Sequence, residues 1–129
     1  MKNLVFTFVI VLVSQMGFAG ELDSILSKAR ALTNNKDYTE AILVYENYIK
    51  VSKGENLKEV YIELANCYFY LGKKHEAVNN IKTAIVKHGF TEEDFIYNSV
   101  LNEKLSSYAL SVLYDDYYKL RNKYLATLN

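Results

Sequence analysis

The chain runs to 129 residues, half of them apolar and 23% charged, which is the composition of one globular domain. Fifteen Lys and Arg balance fifteen Asp and Glu, so no net field draws the protein onto nucleic acid or an anionic surface. One cysteine excludes an internal disulfide framework, a zinc knuckle and a CxxC redox pair, and twelve Tyr with five Gly and no Pro or Trp point to an all-α fold with short connections.

Lys2, a ten-residue apolar run from Leu4 to Val13, the polar Ser14-Gln15, and small residues Gly17 and Ala19 before a cut after Ala19 predict a secretory signal peptide over residues 1–19. The run is well short of the roughly 20 apolar residues that span a bilayer, so no stable membrane insertion is expected after cleavage. The mature domain, residues 20–129, is then expected to be exported, either periplasmic or secreted. Loss of Lys2 leaves fourteen basic against fifteen acidic groups, a net charge of −1.

From Glu21 the apolar positions Leu22, Ile25, Leu26, Ala29 and Leu32 recur at amphipathic-helix spacing, and Asn34-Asn35 should end that helix because Asn tolerates the left-handed conformation. Asp37 and Glu40, spaced as a capping box, open a second helix on Tyr38, Ala41, Ile42, Tyr45, Tyr48 and Ile49, which closes near Gly54. Asn56 with Glu59 repeats that start, and Leu57, Val60, Tyr61, Leu64, Ala65, Tyr68 and Leu71 carry a third helix to Gly72. A fourth runs from about Lys73 through Ala77, Val78, Ile81, Ala84 and Ile85 to Gly89. Thr91 and Asp94 open a fifth with Phe95, Ile96, Val100, Leu101 and Leu105, and Ser106 or Ser107 caps a final helix to about Leu128. Short connections pack consecutive helices as antiparallel hairpins. Cys67, set between Asn66 and Tyr68, is expected to be a buried thiol.

The chain also repeats itself. Ile25 and Tyr61, Ala29 and Ala65, Leu32 and Tyr68, Ala41 and Ala77, Tyr45 and Ile81 all stand 36 residues apart, which describes one helical hairpin used twice, over about 22–53 and 57–89. Tyr61-x2-Leu64-Ala65-x2-Tyr68 followed by Ala77-x3-Ile81, with Gly72 between the helices, resembles the tetratricopeptide repeat. The small residues Ala65 and Ala77 would let two axes approach closely. Residues 91–128 form no clean repeat and are expected to be a C-terminal helical cap, similar to segments that follow the last repeat in bacterial exported proteins of this kind.

No catalytic, cofactor-binding or metal site is expected, and the chain is not read as an enzyme. There is no HExxH, nucleophile elbow or phosphate-cradling Gly loop. His75 and His88 lie thirteen residues apart on one helix, too far to share a metal ion. His75 reads as a solvated side chain, and His88 as a complement to a helix C-terminus. Glu92-Glu93-Asp94 suits the positive end of a helix, and Asp115-Asp116 offsets the basic residues Lys119, Arg121 and Lys123, so no nucleic-acid partner is expected.

The resemblance implies a concave groove lined by the first helix of each repeat. It places Leu26, Arg30 and Thr33 there from the first unit, with Ile62, Asn66, Phe69 and Tyr70 from the second. The basic-and-Asn set with which some relatives clamp a terminal carboxylate is not reproduced, because Leu26, Ile62 and Glu63 stand in its place. On the last helix a second apolar stripe containing Tyr114 and Tyr118 should either dip toward Phe69 or meet another molecule. The expected function is a non-catalytic adaptor or scaffold that binds a peptide or partner helix. The alternative is a structural subunit of a cell-envelope assembly or a homo-oligomer.

Overall fold

A computed structural model describes residues 20–53 and 56–129, and the regular structure in them is entirely helical. The helices are α1 (20–34), α2 (Tyr38–Val51), α3 (Lys58–Tyr70), α4 (Lys74–His88), α5 (Glu92–Tyr97), α6 (Glu103–Leu113) and α7 (Tyr117–Thr127). The expected signal peptide and the Gly54 turn lie outside the described residues. Among the described residues no helix is long and apolar enough to cross a membrane.

The 36-residue spacing becomes packing. Ala29, Ala41, Ala65 and Ala77 are wholly buried, with Tyr45 and Ile81 beside them, so the paired small residues lie where helix axes approach. Two apolar cores result. One gathers Ala29, Ala41, Tyr45, Leu57, Val60, Leu64 and Cys67, and the other joins Ile62, Ala65, Ala77, Ile81 and Ile85 to the C-terminal helices. Tyr61 and Tyr68 of α3 pack against both, which makes α3 the wall that the cores share. The chain is a short α-solenoid of two hairpins with a helical cap.

The turns inside the two hairpins repeat as well. After α1 the amides of Lys36 and Asp37 donate to Thr33 and Leu32, and after α3 those of Gly72 and Lys73 donate to Phe69 and Tyr68. Each pair closes a helix C-terminus through one left-handed residue. That residue is Gly72 (φ 76) in the second hairpin but Lys36 (φ 63) in the first, where Asn34-Asn35 had been expected to take the left-handed place. An L-residue pays about 1–2 kcal/mol in this conformation. Lys36→Gly is therefore expected to stabilise the protein by about 1 kcal/mol despite its greater unfolded-state freedom. A higher urea midpoint at unchanged slope checks this, and a lower one would show that the Lys36 side chain contributes more than its backbone costs.

The helix starts differ from expectation in part. Thr91 and Asp94 form their capping box, with the Asp94 carboxylate accepting from the Thr91 amide at 2.8 Å. Asn56 accepts from the Lys58 amide at 2.9 Å. The Asp37 side chain makes no cap bond, and its amide donates to Leu32 in the turn that ends α1.

The C-terminal third departs most. A fifth helix through Leu105 and a single final helix were expected, but α5 ends at Tyr97 and the remainder is two helices, α6 and α7. Asparagine causes the first break. Asn98 Oδ1 accepts from the amides of Val100 (3.0 Å) and Leu101 (3.2 Å), which offers the backbone an alternative to helix. Asn102 then caps α6 by accepting from Lys104 and Leu105. Ser106 and Ser107 are not the cap; the Ser106 hydroxyl is buried and donates to the Phe95 carbonyl at 2.6 Å. The second break falls at Asp115-Asp116, just before α7.

Both C-terminal helices pack on α4, and α5 packs on α6. Gly89 ends α4 with φ 73, and a Cβ there would stand 2.9 Å from the Tyr124 hydroxyl, so the position needs glycine for conformation and for space. Phe90 follows, fully buried and edge-to-face with Phe95 at 4.7 Å.

Candidate functional site

The fold brings α1 and α3 side by side, and their shared face carries the polar residues that neither core absorbs. Arg30 of α1 reaches Glu63 of α3, with Nε 3.1 and 3.2 Å from the two carboxylate oxygens and Nη2 3.1 Å from Oε1. This two-pronged pair ties the repeats together across the face, with Arg30 half exposed and Glu63 largely covered. Beside it lies an open cavity of about 300 Å³ lined by Arg30, Thr33, Asn34, Tyr45, Glu63, Asn66, Tyr70 and Val100.

The floor of that cavity is built from the first core. The Thr33 hydroxyl donates to the Ala29 carbonyl at 3.0 Å and stands 3.4 Å from the Tyr45 hydroxyl and 3.5 Å from Cys67 Sγ. Burial holds both the Tyr45 hydroxyl and the Cys67 thiol protonated, pushing each pKa upward, and Cys67 is a buried free thiol as its sequence setting suggested.

Tyr70 forms the far wall. Its ring stacks on Tyr38 with centroids 4.8 Å apart, and its hydroxyl accepts from Asn102 Nδ2 at 3.3 Å. On its other side a second open cavity of about 530 Å³ is lined by Phe69, Tyr70, Asn102, Glu103 and Lys104. One exposed aromatic ring, held on two sides, thus separates two concavities.

The residues expected in the groove divide. Arg30, Thr33, Asn66 and Tyr70 line the cavity, and Phe69 lines its neighbour while packing partly into the second core. Ile62 does not line the groove: it is fully buried in the second core. Leu26 is likewise packed against the first core. Asn66 reaches the cavity wall but is 8% exposed, and both ends of its amide are engaged. Nδ2 donates to the Val100 carbonyl at 2.7 Å and Oδ1 accepts from the Asn102 amide at 3.0 Å.

Tyr114 and Tyr118 do not enter the groove. They are 72% and 68% exposed, with Leu125 and Leu128 also open on α7 and beyond. Of the acidic run at α5, Glu92 and Glu93 are exposed and Asp94 is engaged internally, paired to Lys58 at 3.2 Å; burial opposes its charge, but the Thr91 amide, Asn98 and Lys58 together hold its pKa below the ordinary value.

Sequence reasoning missed three features: the Arg30–Glu63 bridge, the Tyr38–Tyr70 stack and the asparagines at 98 and 102. Only the last left a local signal, Asn98-Ser99 and Asn102 interrupting the apolar stripe. The other two join residues 33 and 32 positions apart, which no local pattern pairs.

Two stacked helical hairpins with a polar face across their first helices define an α-solenoid of the protein-interaction type. The model of the tetratricopeptide repeat family matches residues 22–54 and 58–85, and these two hairpins are similar to that repeat. No curated protein and no solved structure matches the chain.

Proposed function

We propose that the protein is a non-catalytic adaptor that binds an extended peptide or partner helix along the face between α1 and α3. The observation that carries this is the cavity beside the Arg30–Glu63 bridge, with apolar walls from Tyr70 and Val100 and polar groups from Thr33, Asn34 and Asn66. The exposed ring of Tyr70 is an aromatic anchor already immobilised by Tyr38 and Asn102, so little further order has to be imposed when a partner covers it. Export is part of the proposal and rests on the sequence of residues 1–19, as does a periplasmic or secreted destination.

A second reading, a structural subunit or homo-oligomer, is favoured by the exposed Tyr114, Tyr118, Leu125 and Leu128. One experiment separates the two. A photo-reactive benzoylphenylalanine is placed at Asn34 or at Tyr118 in the host that carries the protein. The adaptor reading expects a chain beginning at Gly20 by intact mass, adducts with a different protein from position 34, and their loss in Tyr70→Ala. Adducts only from position 118, with a second copy of the chain, would replace it with the structural reading. A retained Met1 would remove export.

A further inference from the structure

We propose that His88 is a proton-operated latch at the joint between the two repeats: as neutral imidazole it holds the start of α3, and in mild acid it lets go. The proposal concerns the joint and stands whatever the groove binds.

Its basis is a contact that crosses from one core to the other. Nδ1 of His88, the last residue of α4, accepts a hydrogen bond from the backbone amide of Leu57 at 3.3 Å. Leu57 precedes α3 and is buried in the first core, whereas Ala84 and Ile85, one turn before His88, are buried in the second. The imidazole also stacks on Tyr61 of α3, with centroids 5.1 Å apart and planes at 24°. His88 therefore fixes the end of α3 where the chain passes from one repeat to the next. It also satisfies one of the amides that a helix N-terminus leaves without an intrahelical partner.

A proton on Nδ1 undoes the hydrogen bond, though not the stacking on Tyr61, which a cationic ring can keep. The lone pair that accepts from Leu57 disappears, two donors then face one another, and a positive charge is placed at the positive end of the α3 dipole. The negative end of the α4 dipole, where His88 stands, favours the charged ring, but the side chains around it do not. On its own helix Lys87 disfavours the charged form. On α3, Lys58 is paired with Asp94 of α5, and the Glu59 carboxylate accepts from Asn98. On α7, Arg121 lies over the ring of Tyr124, whose hydroxyl abuts Gly89. Among the described residues no carboxylate hydrogen-bonds the imidazole. Burial first, and Lys87 second, hold the pKa of His88 below its ordinary 6.5.

A base whose pKa is depressed by folding binds its proton more readily in the unfolded chain. The stability it contributes is complete above about pH 6.5 and falls as the pH drops from there through the folded value. The Arg30–Glu63 face is built from both repeats, so a loosened joint also changes the spacing of its two sides.

The chain has two histidines, so a proton-NMR titration of the full protein resolves both imidazoles. His88 is expected to titrate below 6.5, with the Leu57 amide shift following the same midpoint. The urea midpoint is expected to fall further between pH 7.5 and 5.0 in the wild type and His75→Gln than in His88→Gln, since the Gln carbonyl can accept from Leu57 without titrating. A His88 midpoint at or above 6.5, a Leu57 amide that ignores it, or an equal fall in His88→Gln would each overturn the latch. If His88→Gln does not fold, the wild-type titration decides alone.

Discussion

Phe90→Ala is expected to destabilise the protein by about 3–5 kcal/mol, a large part of the 5–15 kcal/mol typical of a domain. Phe90 is fully buried directly after the left-handed Gly89 and meets Phe95 edge-to-face, which in turn meets Tyr117 at 6.3 Å. Phe90 thus connects the end of α4 to α5, and through Phe95 to α7. The neighbours that would have to collapse into the space belong to three helices held by different contacts, so the cavity should stay open. The urea midpoint and the near-ultraviolet circular dichroism report the loss. A cost under about 1 kcal/mol would mean that the cap relaxes freely around the deletion.

Asn66→Ala should cost about 1–3 kcal/mol, because it removes the partner of both the Val100 carbonyl and the Asn102 amide, at about 0.5–1.5 kcal/mol for each part-buried hydrogen bond. The amide of Asn66 is one of the few polar side chains in the interior, and it holds the 98–102 segment against α3. Asn66→Asp separates the two bonds. Its carboxylate can still accept from Asn102 but presents no donor to Val100, so it should destabilise too, and amide exchange should accelerate in residues 98–102 in both variants. Should Asn66→Ala keep its urea midpoint yet lose partner capture, the residue would be a contact for the partner and not a bracket for the cap.

Much of this architecture was legible because its causes are local. The apolar stripes of α1 to α4, the alanines at 29, 41, 65 and 77, and the glycines at 72 and 89 act within a turn or two of chain, and the 36-residue offset reports their duplication. The same logic failed where two local choices were close in free energy. Lys36 takes the left-handed place beside two asparagines because the turn geometry, repeated from the second hairpin, sets the position and not the residue type. Asn98 ends α5 and Asn102 starts α6 through side-chain bonds to the backbone, against an apolar stripe that continues through Val100 and Leu101.

The sequence by itself therefore determined the fold class, the repeat and which faces are apolar, since burial of a stripe needs only periodicity. Tertiary structure alone decided what each face meets. Ile62 and Asn66 stand four residues apart on one helix, yet the first is buried in the second core and the second is a bracket for the 98–102 segment, according to what the neighbouring elements place opposite each. Arg30 finds Glu63 and His88 finds Leu57 only after the hairpins stack, because each pair is more than thirty residues apart and draws its energy from geometry that no single helix contains.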